Sequence, residues 1–390
     1  MSSKISIPYA RQDISEQDVQ VVLEVLKSPW LVQGPCVERF EQMVANYCGA
    51  QYAVAVNSAT SALHIACLAA GLVPGDNLWT SPNTFVASAN CGLYCGANVD
   101  FIDIDPQTYN LSIDGLEKKL DGTIRNGKSP KVLIPVHFAG QSCGMERIQE
   151  LRQRYGFKVI EDASHAIGGR YKEQPIGTCA FSDMTVFSFH PVKIITTGEG
   201  GMVLTNHKDL YDKLILLRSH GVTRDPELIE GQSHGPWYYE QVELGFNYRM
   251  TDIQGALGAS QMSRLDEFVR QRHILAKRYD EAFSDFPLTL PWQHPDTYSS
   301  YHLYVIRLKL EETKMTHRGV FEALRGAGIG VNLHYIPVYT QPYYQRLGFK
   351  PGYCPEAEQY YREAISLPMY YGLKEDDQAY VISTIRQIFS

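Results

Sequence analysis

The chain has 390 residues, of which 44% are hydrophobic and 20% charged, and 43 acidic against 36 basic residues give it a net charge of −7. This composition is typical of a soluble globular protein and offers no basic footprint for a nucleic acid or a membrane surface. The N-terminal residues lack the apolar region of a signal peptide and no apolar run is long enough to span a bilayer, so we expect a cytoplasmic protein. The eight cysteines include no Cys-x-x-Cys pair, which favours reduced thiols and no bound metal.

Helix and strand signals alternate along the first part of the chain. Residues Ser15 to Asp18 fit a capping box, and the apolar residues after them keep a helical spacing to about Lys27. From Tyr52 onward, short apolar segments alternate with amphipathic segments. This alternation predicts an α/β fold with a mostly parallel sheet and helices on both of its faces.

The pattern changes in the last third of the chain. After residues 247–261, a long helical stretch reaches about Phe286, and Pro287, Pro291 and Pro295 follow it. Because prolines interrupt regular structure, we place a domain boundary at this point. The prediction is a large domain of residues 1–286 and a small C-terminal α/β domain of residues 287–390.

The residues that follow the strands are the first place to look for a site, because ligands of parallel α/β sheets bind beyond the carboxyl ends of the strands. Small and hydroxyl residues from Asn57 to His64 join a strand to a helix, where free N–H groups favour a phosphate. The same residues also suit an ordinary, closely packed helix cap. No Walker sequence and no Gly-x-Gly-x-x-Gly fingerprint is present, so neither ATP nor NAD is favoured.

Further strand ends carry reactive groups. Glu161 and Asp162 end an apolar strand, where an acid can balance a cationic ring nitrogen or cap the next turn. Lys193 lies in an apolar and hydroxyl-rich run before a Gly-Glu-Gly-Gly loop; it either reaches solvent or is a desolvated, useful amine. Phe85 offers a flat face to a ring or belongs to the core. An amine, an acid and a phosphate-binding turn at residues 57–64, here called the phosphate seat, are together the groups that bind pyridoxal phosphate.

These motifs resemble those of the DegT-type sugar aminotransferases over nearly the whole chain. The resemblance rests on residues 57–64, 161–166, 187–201 and 245–258. It implies the aspartate-aminotransferase (type I) fold of pyridoxal-phosphate enzymes, whose large domain contains a mostly parallel seven-stranded sheet. It also implies pyridoxal 5′-phosphate as the cofactor, with pyridoxamine 5′-phosphate as its aminated form in the cycle.

The resemblance gives each motif residue a role. Lys193 corresponds to the catalytic lysine that forms an imine with the cofactor, and Asp162 to the acid that partners the pyridine nitrogen. Phe85 stacks on the ring, and His165 lies near the pyridine hydroxyl. The residues implied for the phosphate are Ala59, Thr60, Ser61 and Ser188, together with Asn247 from the second subunit of a homodimer.

The flanking segments resemble a narrower group, the transaminases that make UDP-4-amino-4,6-dideoxy-N-acetyl-β-L-altrosamine on the way to pseudaminic acid. These segments are residues 31–35, 217–225, 236–254 and 332–344. The likeness implies amination at C4 of a UDP-linked 4-keto-6-deoxy-N-acetylamino sugar, with L-glutamate as donor and 2-oxoglutarate as product. The residues implied for the nucleotide sugar are Tyr9, Pro29, Trp30, Leu31, Val32, Leu333, His334, Tyr335 and Ile336.

Other functions remain open from the sequence. Another nucleotide-linked keto sugar, aminated at C4 or C3, would suit the same core motifs. A related pyridoxal-phosphate sugar dehydratase has histidine in place of Lys193, which argues against that reaction. A non-catalytic cofactor-binding regulator usually carries a fused DNA-binding domain, and a nicotinamide-dependent dehydrogenase would need the missing glycine fingerprint.

Overall fold

A computed structural model describes residues 7–123 and 129–389. Its α-helices are α1 (Glu16–Lys27), α2 (Pro35–Cys48), α3 (Ala59–Ala69), α4 (Ala87–Tyr94), α5 (Ile113–Thr123), α6 (Met145–Tyr155), α7 (Lys208–Arg218), α8 (Asp252–Met262), α9 (Leu265–Phe283), α10 (His317–Gly326), α11 (Pro342–Arg346), α12 (Pro355–Glu363) and α13 (Glu375–Phe389). Short 3₁₀ turns lie at Phe138–Gly140 and Val338–Thr340.

The strands are short. They are β1 (Tyr52–Val56), β2 (Asn77–Thr80), β3 (Asn98–Phe101), β4 (Val132–Ile134), β5 (Lys158–Asp162), β6 (Arg170–Tyr171), β7 (Gln174–Pro175), β8 (Met184–Ser188), β9 (Gly201–Thr205), β10 (Val222–Thr223), β11 (Glu240–Gln241), β12 (Leu288–Thr289), β13 (Thr297–Tyr298), β14 (Tyr304–Leu308) and β15 (Ala364–Leu367).

Seven strands form the central sheet, in the order β1-β9-β8-β5-β4-β2-β3. The strands from β8 to β3 are parallel, whereas β9 pairs antiparallel with both β1 and β8. The mostly parallel sheet predicted from the sequence is therefore confirmed. Because β1 runs in the same direction as β5 and β8, the ends of these strands at Val56, Asp162 and Ser188 lie on one edge of the sheet.

Apolar side chains cover both faces of the central sheet. In β1, Val54 and Val56 belong to one core, whereas Ala53 and Ala55 belong to another on the opposite face. This alternation follows from the two-residue period of a strand. The capping box predicted at the start of α1 is present, since the Ser15 side chain accepts from the Asp18 N–H and the Asp18 side chain accepts from the Ser15 N–H.

The C-terminal part has an antiparallel sheet in the order β12-β14-β15. Its core includes Val320 of α10, Val381 of α13 and also Leu275 and Tyr279 of α9. The long helix predicted before the prolines is present as α9 and ends at Phe283. The division after residue 286 stays a prediction, and α9 packs into the C-terminal core from its N-terminal side.

The described residues contain neither a long apolar helix that could cross a membrane nor a grouping of three or more His, Cys, Asp or Glu side chains able to hold a metal ion. All eight cysteines are free thiols, and seven of them are buried.

Candidate active site

A cavity of about 560 Å³ opens at the carboxyl edge of the central sheet. The ends of β5 and β8, the N-terminus of α3 and residues 332–335 meet in its wall. The sequence-predicted residues that line it are Tyr9, Ala59, Thr60, Phe85, Asp162, His165, Ser188, Lys193, Leu333, His334 and Tyr335.

Lys193 enters this cavity from the turn that follows β8. The turn is closed by a hydrogen bond of 2.8 Å from the Lys193 N–H to the His190 carbonyl. The side-chain amine forms no hydrogen bond or ion pair with the residues that the structure describes. Burial lowers the pKa of Lys193 to about 8, although the Asp162 carboxylate opposes this change. The amine is therefore partly neutral near neutral pH and can serve as a nucleophile or carry a proton.

Asp162 faces the cavity from the end of β5 and is only 5% exposed. Its Oδ2 accepts a hydrogen bond of 2.6 Å from Ser88 Oγ, and its Oδ1 accepts one of 3.1 Å from the Ser164 N–H. The Ser88 hydroxyl also lies 2.7 Å from Thr84 Oγ1. The carboxylate is thus held in one orientation, and it caps the next turn while it lines the cavity.

Glu161 belongs to a separate buried network. Its carboxylate accepts hydrogen bonds from His137 Nε2 at 2.6 Å, Ser182 Oγ at 2.5 Å and Thr185 Oγ1 at 3.0 Å. These contacts hold the pKa of Glu161 below its ordinary value despite burial. The carboxylate raises the pKa of His137, yet His137 Nδ1 accepts the Cys143 N–H, so the ring is neutral and its proton lies on Nε2. Of the two adjacent acids, only Asp162 lines the cavity.

The first turn of α3 provides donors for an anion. Ser58 caps the helix by accepting from the Ser61 N–H, while within the described chain the N–H groups of Ala59 and Thr60 have no partner. A Cβ added to Gly201 would lie 2.5 Å from the Ala59 nitrogen, so glycine is needed for β9 to start beside this turn. Free N–H groups, the positive end of the helix dipole and the nearby Ser188 hydroxyl suit a phosphate group.

The far wall of the cavity comes from Tyr9 and residues 332–335. The ring of Tyr9 lies 5.5 Å from the ring of His334, measured between centroids. His334 Nδ1 lies 2.8 Å from Ser366 Oγ on β15, and its Nε2 lies 3.4 Å from Asn332 Nδ2. Burial lowers the pKa of His334 to about 3, so this imidazole is neutral. The wall therefore offers polar groups without fixed charge.

Both ring nitrogens of His165 have hydrogen-bond partners. Nδ1 accepts from the Ala139 N–H at 3.2 Å, and Nε2 lies 3.1 Å from the Tyr335 hydroxyl. Because burial holds the pKa of His165 far below its ordinary value, the ring is neutral and its proton lies on Nε2. The Nε2–H group therefore donates toward Tyr335 at the cavity wall.

Several predicted site residues do not line this cavity in a single chain. Ser61 is buried beside it and bonds Ser58, and Asn247 lies at the surface and pairs with Ser219 through the backbone. The others are exposed and lie outside the wall: Pro29, Trp30, Leu31, Val32 and Ile336. Their predicted roles stay predictions.

The described residues fit pyridoxal phosphate. The cavity combines an unpaired amine at Lys193, an oriented acid at Asp162, a phosphate seat at the start of α3 and the exposed ring of Phe85. These are the groups needed for a carbonyl carbon, a basic ring nitrogen, a phosphate and a flat aromatic face.

Sequence reasoning missed other residues in or behind the wall. Thr84 and Ser88, which orient Asp162, are single hydroxyls whose partners are set by the fold. His302 lines the cavity from just before β14 and is 2% exposed. The signal that could have found His302 is a histidine at the start of an apolar strand, a position usually filled by a hydrophobic residue.

Comparisons with known proteins identify the family of this chain. The profile of the DegT/DnrJ/EryC1/StrS aminotransferase family matches residues 12–386. The chain is 40% identical over 385 residues to the spore coat polysaccharide biosynthesis protein SpsC of Bacillus subtilis, covering 98% of this chain and 97% of that protein. It is 37% identical over 384 residues to the UDP-4-amino-4,6-dideoxy-N-acetyl-beta-L-altrosamine transaminase of Campylobacter jejuni, with coverage of 98% and 97%.

The solved structure of Helicobacter pylori PseC, an aminotransferase involved in the biosynthesis of pseudoaminic acid, superposes with a TM-score of 0.88. The two chains are 32% identical, and the match covers 98% of this chain and 99% of the other. Enzymes of this family use pyridoxal 5′-phosphate. Because the match spans the fold, the lysine turn and the phosphate seat together, the chain belongs to the DegT/DnrJ/EryC1/StrS aminotransferase family and is a pyridoxal-phosphate-dependent sugar aminotransferase.

Proposed function

We propose that this enzyme moves the amino group of L-glutamate to C4 of a UDP-linked 4-keto-6-deoxy-N-acetylamino sugar. The products are UDP-4-amino-4,6-dideoxy-N-acetyl-β-L-altrosamine and 2-oxoglutarate. The observation that carries the reaction type is the partly neutral Lys193 amine in one cavity with Asp162 and the α3 phosphate seat. The choice of sugar is supported by the names of the Campylobacter and Helicobacter relatives.

Pyridoxal phosphate, when bound, supplies an electron sink and carries the amino group between the two substrates. The N–H groups of Ala59 and Thr60 and the Ser188 hydroxyl would hold its phosphate. The Asp162 carboxylate would keep its ring nitrogen protonated, and Ser88 keeps that carboxylate in place. Phe85, which is exposed in the cavity, would cover one face of the ring.

Lys193 is the proton carrier in this proposal. In its neutral form, the amine takes a proton from the α-carbon of glutamate in the first half of the reaction. In the second half it delivers a proton to C4 of the sugar. The pKa of about 8 allows both tasks, because neither the neutral nor the charged amine is rare near neutral pH.

The sugar lies against the polar wall in this proposal. Tyr9, Leu333 and His334 line the side of the cavity formed with the C-terminal sheet, and they offer hydrogen bonds and packing without fixed charge. Asn247 and the exposed turn at residues 29–32 lie outside the cavity of one chain, and we assign them to the active site of the second subunit in a homodimer. Trp30 is 56% exposed in a single chain, as a residue that contacts a partner would be.

The test is a substrate panel. Purified enzyme is offered UDP- and dTDP-linked 4-keto and 3-keto sugars with L-glutamate, and the aminated carbon is identified by NMR. The proposal expects amination at C4 of the UDP-linked 4-keto-6-deoxy-N-acetylamino sugar with the greatest kcat/KM. A preference for a dTDP-linked 3-keto sugar would replace the substrate and leave the reaction type intact.

A further inference from the structure

Three buried histidines line the cavity, and they differ in whether their ring nitrogens have hydrogen-bond partners. Both nitrogens of His165 have partners, in Ala139 and Tyr335. Both nitrogens of His334 also have partners, in Ser366 and Asn332. Within the described parts of the chain, neither nitrogen of His302 has one. His302 is therefore the buried imidazole whose hydrogen-bonding capacity the protein leaves open.

The surroundings of His302 decide where its proton lies. Nδ1 is enclosed and has no partner among the described residues. Nε2 is not enclosed in this way, and His302 lines the cavity, so Nε2 is the nitrogen that a ligand can reach. An enclosed N–H group without an acceptor is rarer and more costly than an enclosed lone pair. The neutral ring therefore carries its proton on Nε2 and presents an N–H donor to the cavity.

Two basic side chains, Lys193 and Arg272, act on His302. Burial and the charges of Lys193 and Arg272 hold the pKa of His302 far below its ordinary value, so the ring is neutral. Arg272 is 2% exposed, and its Nη1 donates to the carbonyl oxygens of Tyr301, His302 and Met369, at 3.1, 3.2 and 3.0 Å. No carboxylate pairs with it among the described residues. The charges that disfavour protonation of His302 also favour an anion in front of its Nε2.

We propose that His302 recognises the α-carboxylate of the amino donor through Nε2–H and so distinguishes the donor from the sugar. This inference rests on the proposed function, in which two substrates use one cavity in turn. Glutamate brings a carboxylate next to the carbon that reacts, whereas the 4-keto-6-deoxy sugar has no carboxylate on its ring. In the described part of the cavity wall, no arginine is present to bind that carboxylate. His302, with the Arg272 charge behind it, fills this role.

The experiment measures the two half-reactions separately by stopped-flow absorbance of the cofactor. His302→Leu removes the donor group, and it also removes the unpartnered Nδ1, so we expect a thermal midpoint no lower than that of the parent. For the glutamate half-reaction, kcat/KM should fall roughly 10- to 150-fold, which corresponds to a lost hydrogen bond to a charged group. For the keto-sugar half-reaction, kcat/KM should change less than about twofold.

A binding measurement stands beside the kinetics. Maleate, a dicarboxylate that cannot be transaminated, should bind the pyridoxal-phosphate form of the Leu variant more weakly by a similar factor in calorimetry. His302→Gln, whose amide can place an N–H near the Nε2 position, should recover much of the affinity. Should the Leu variant not fold, His302→Asn serves instead, because its shorter amide does not reach that position.

His273→Gln is the matched control. His273 lies beside Arg272 on α9 and bonds the Ser299 carbonyl at 2.7 Å, outside the cavity. Loss of that bond can lower the thermal midpoint, but it should leave the ratio of the two half-reactions unchanged. Equal losses in both half-reactions of the His302 variants, or unchanged maleate binding, would overturn the proposal. If the sugar assignment alone is wrong, the keto-sugar half-reaction fails in the parent, while glutamate and maleate still report on His302.

Discussion

Substitution of Glu161 should lower the stability of the fold, whereas substitution of the adjacent Asp162 should lower turnover. Glu161→Leu removes the acceptor of three buried donors, on His137, Ser182 and Thr185. The two hydroxyls can turn toward other acceptors, but the His137 Nε2–H cannot, because the Cys143 N–H fixes the tautomer. We therefore expect the free energy of unfolding to fall by about 1–3 kcal/mol, the cost of a buried N–H group that loses its acceptor.

Asp162→Asn should cost little stability but much of the turnover. The Ser88 hydroxyl can accept a hydrogen bond from the new amide, and the amide oxygen can still accept from the Ser164 N–H, so the stability cost should stay below about 1 kcal/mol. The negative charge that faces the cofactor nitrogen is lost, however. Turnover should fall by at least about 100-fold, as when a preorganised electrostatic partner is removed.

Urea unfolding and steady-state turnover on the same preparations test this pair of variants. The destabilisation by Glu161→Leu should also shrink in acid. The folded-state pKa of Glu161 is below its unfolded value, so its contribution is present above about pH 4.3 and is lost as the pH falls through the folded value. Glu161→Gln is the control, because its amide can face the two hydroxyls and should cost less than the Leu variant. A larger loss of stability for Asp162→Asn than for Glu161→Leu would contradict the assignment of Glu161 to the buried network and Asp162 to the cavity.

Further variants test the cavity itself. Lys193→Ala should retain fold and cofactor absorbance but lose nearly all turnover, and near-normal turnover would remove Lys193 from the mechanism. With the parent, kcat for the glutamate half-reaction should rise with pH through about 8, because the neutral amine is the active form; a flat profile there would contradict its pKa. Ser88→Ala should lower turnover about 10-fold by releasing Asp162, with little change in KM for either substrate. Mixed dimers of Lys193→Ala and Asn247→Ala chains should regain activity from one intact site, which neither homodimer has; no recovery would place Asn247 outside the partner's site.

The sequence predicted the fold well because its signals are local. Strand ends at Val56, Asp162 and Ser188 follow apolar runs, and parallel strands bring such ends to one edge whatever the details of packing. The N-cap at Ser15 was visible for the same reason, since a capping box lies within four residues. The antiparallel direction of β9 could not be predicted from the sequence. A fully buried apolar strand has the same residue pattern whether it runs parallel or antiparallel to its neighbours.

The site was only partly predictable, because side-chain contacts between distant segments decide it. The strand pattern placed Glu161 and Asp162 at one strand end without distinguishing them, and only the family resemblance gave Asp162 the role at the cofactor nitrogen. The fold distinguishes them, because Glu161 is hydrogen-bonded to the His137 ring and Asp162 to the Ser88 hydroxyl. His302 was missed because its neighbours in the cavity, among them His165 with a centroid separation of 4.4 Å, are far away in the chain.

Charge in the cavity supports the proposed homodimer. In the described wall the ionisable acids are Asp162 and Glu199, and the one strong base is Lys193, whose pKa is lowered. A cofactor phosphate and a nucleotide diphosphate add several negative charges, which the α3 dipole, equivalent to about half a unit charge, does not balance. Leu244, three residues before Asn247, leaves an apolar side chain 76% exposed on the surface of the segment that we assign to the partner. A second copy that covers this surface would bring further groups to the cavity mouth, and the mixed-dimer experiment measures whether it does.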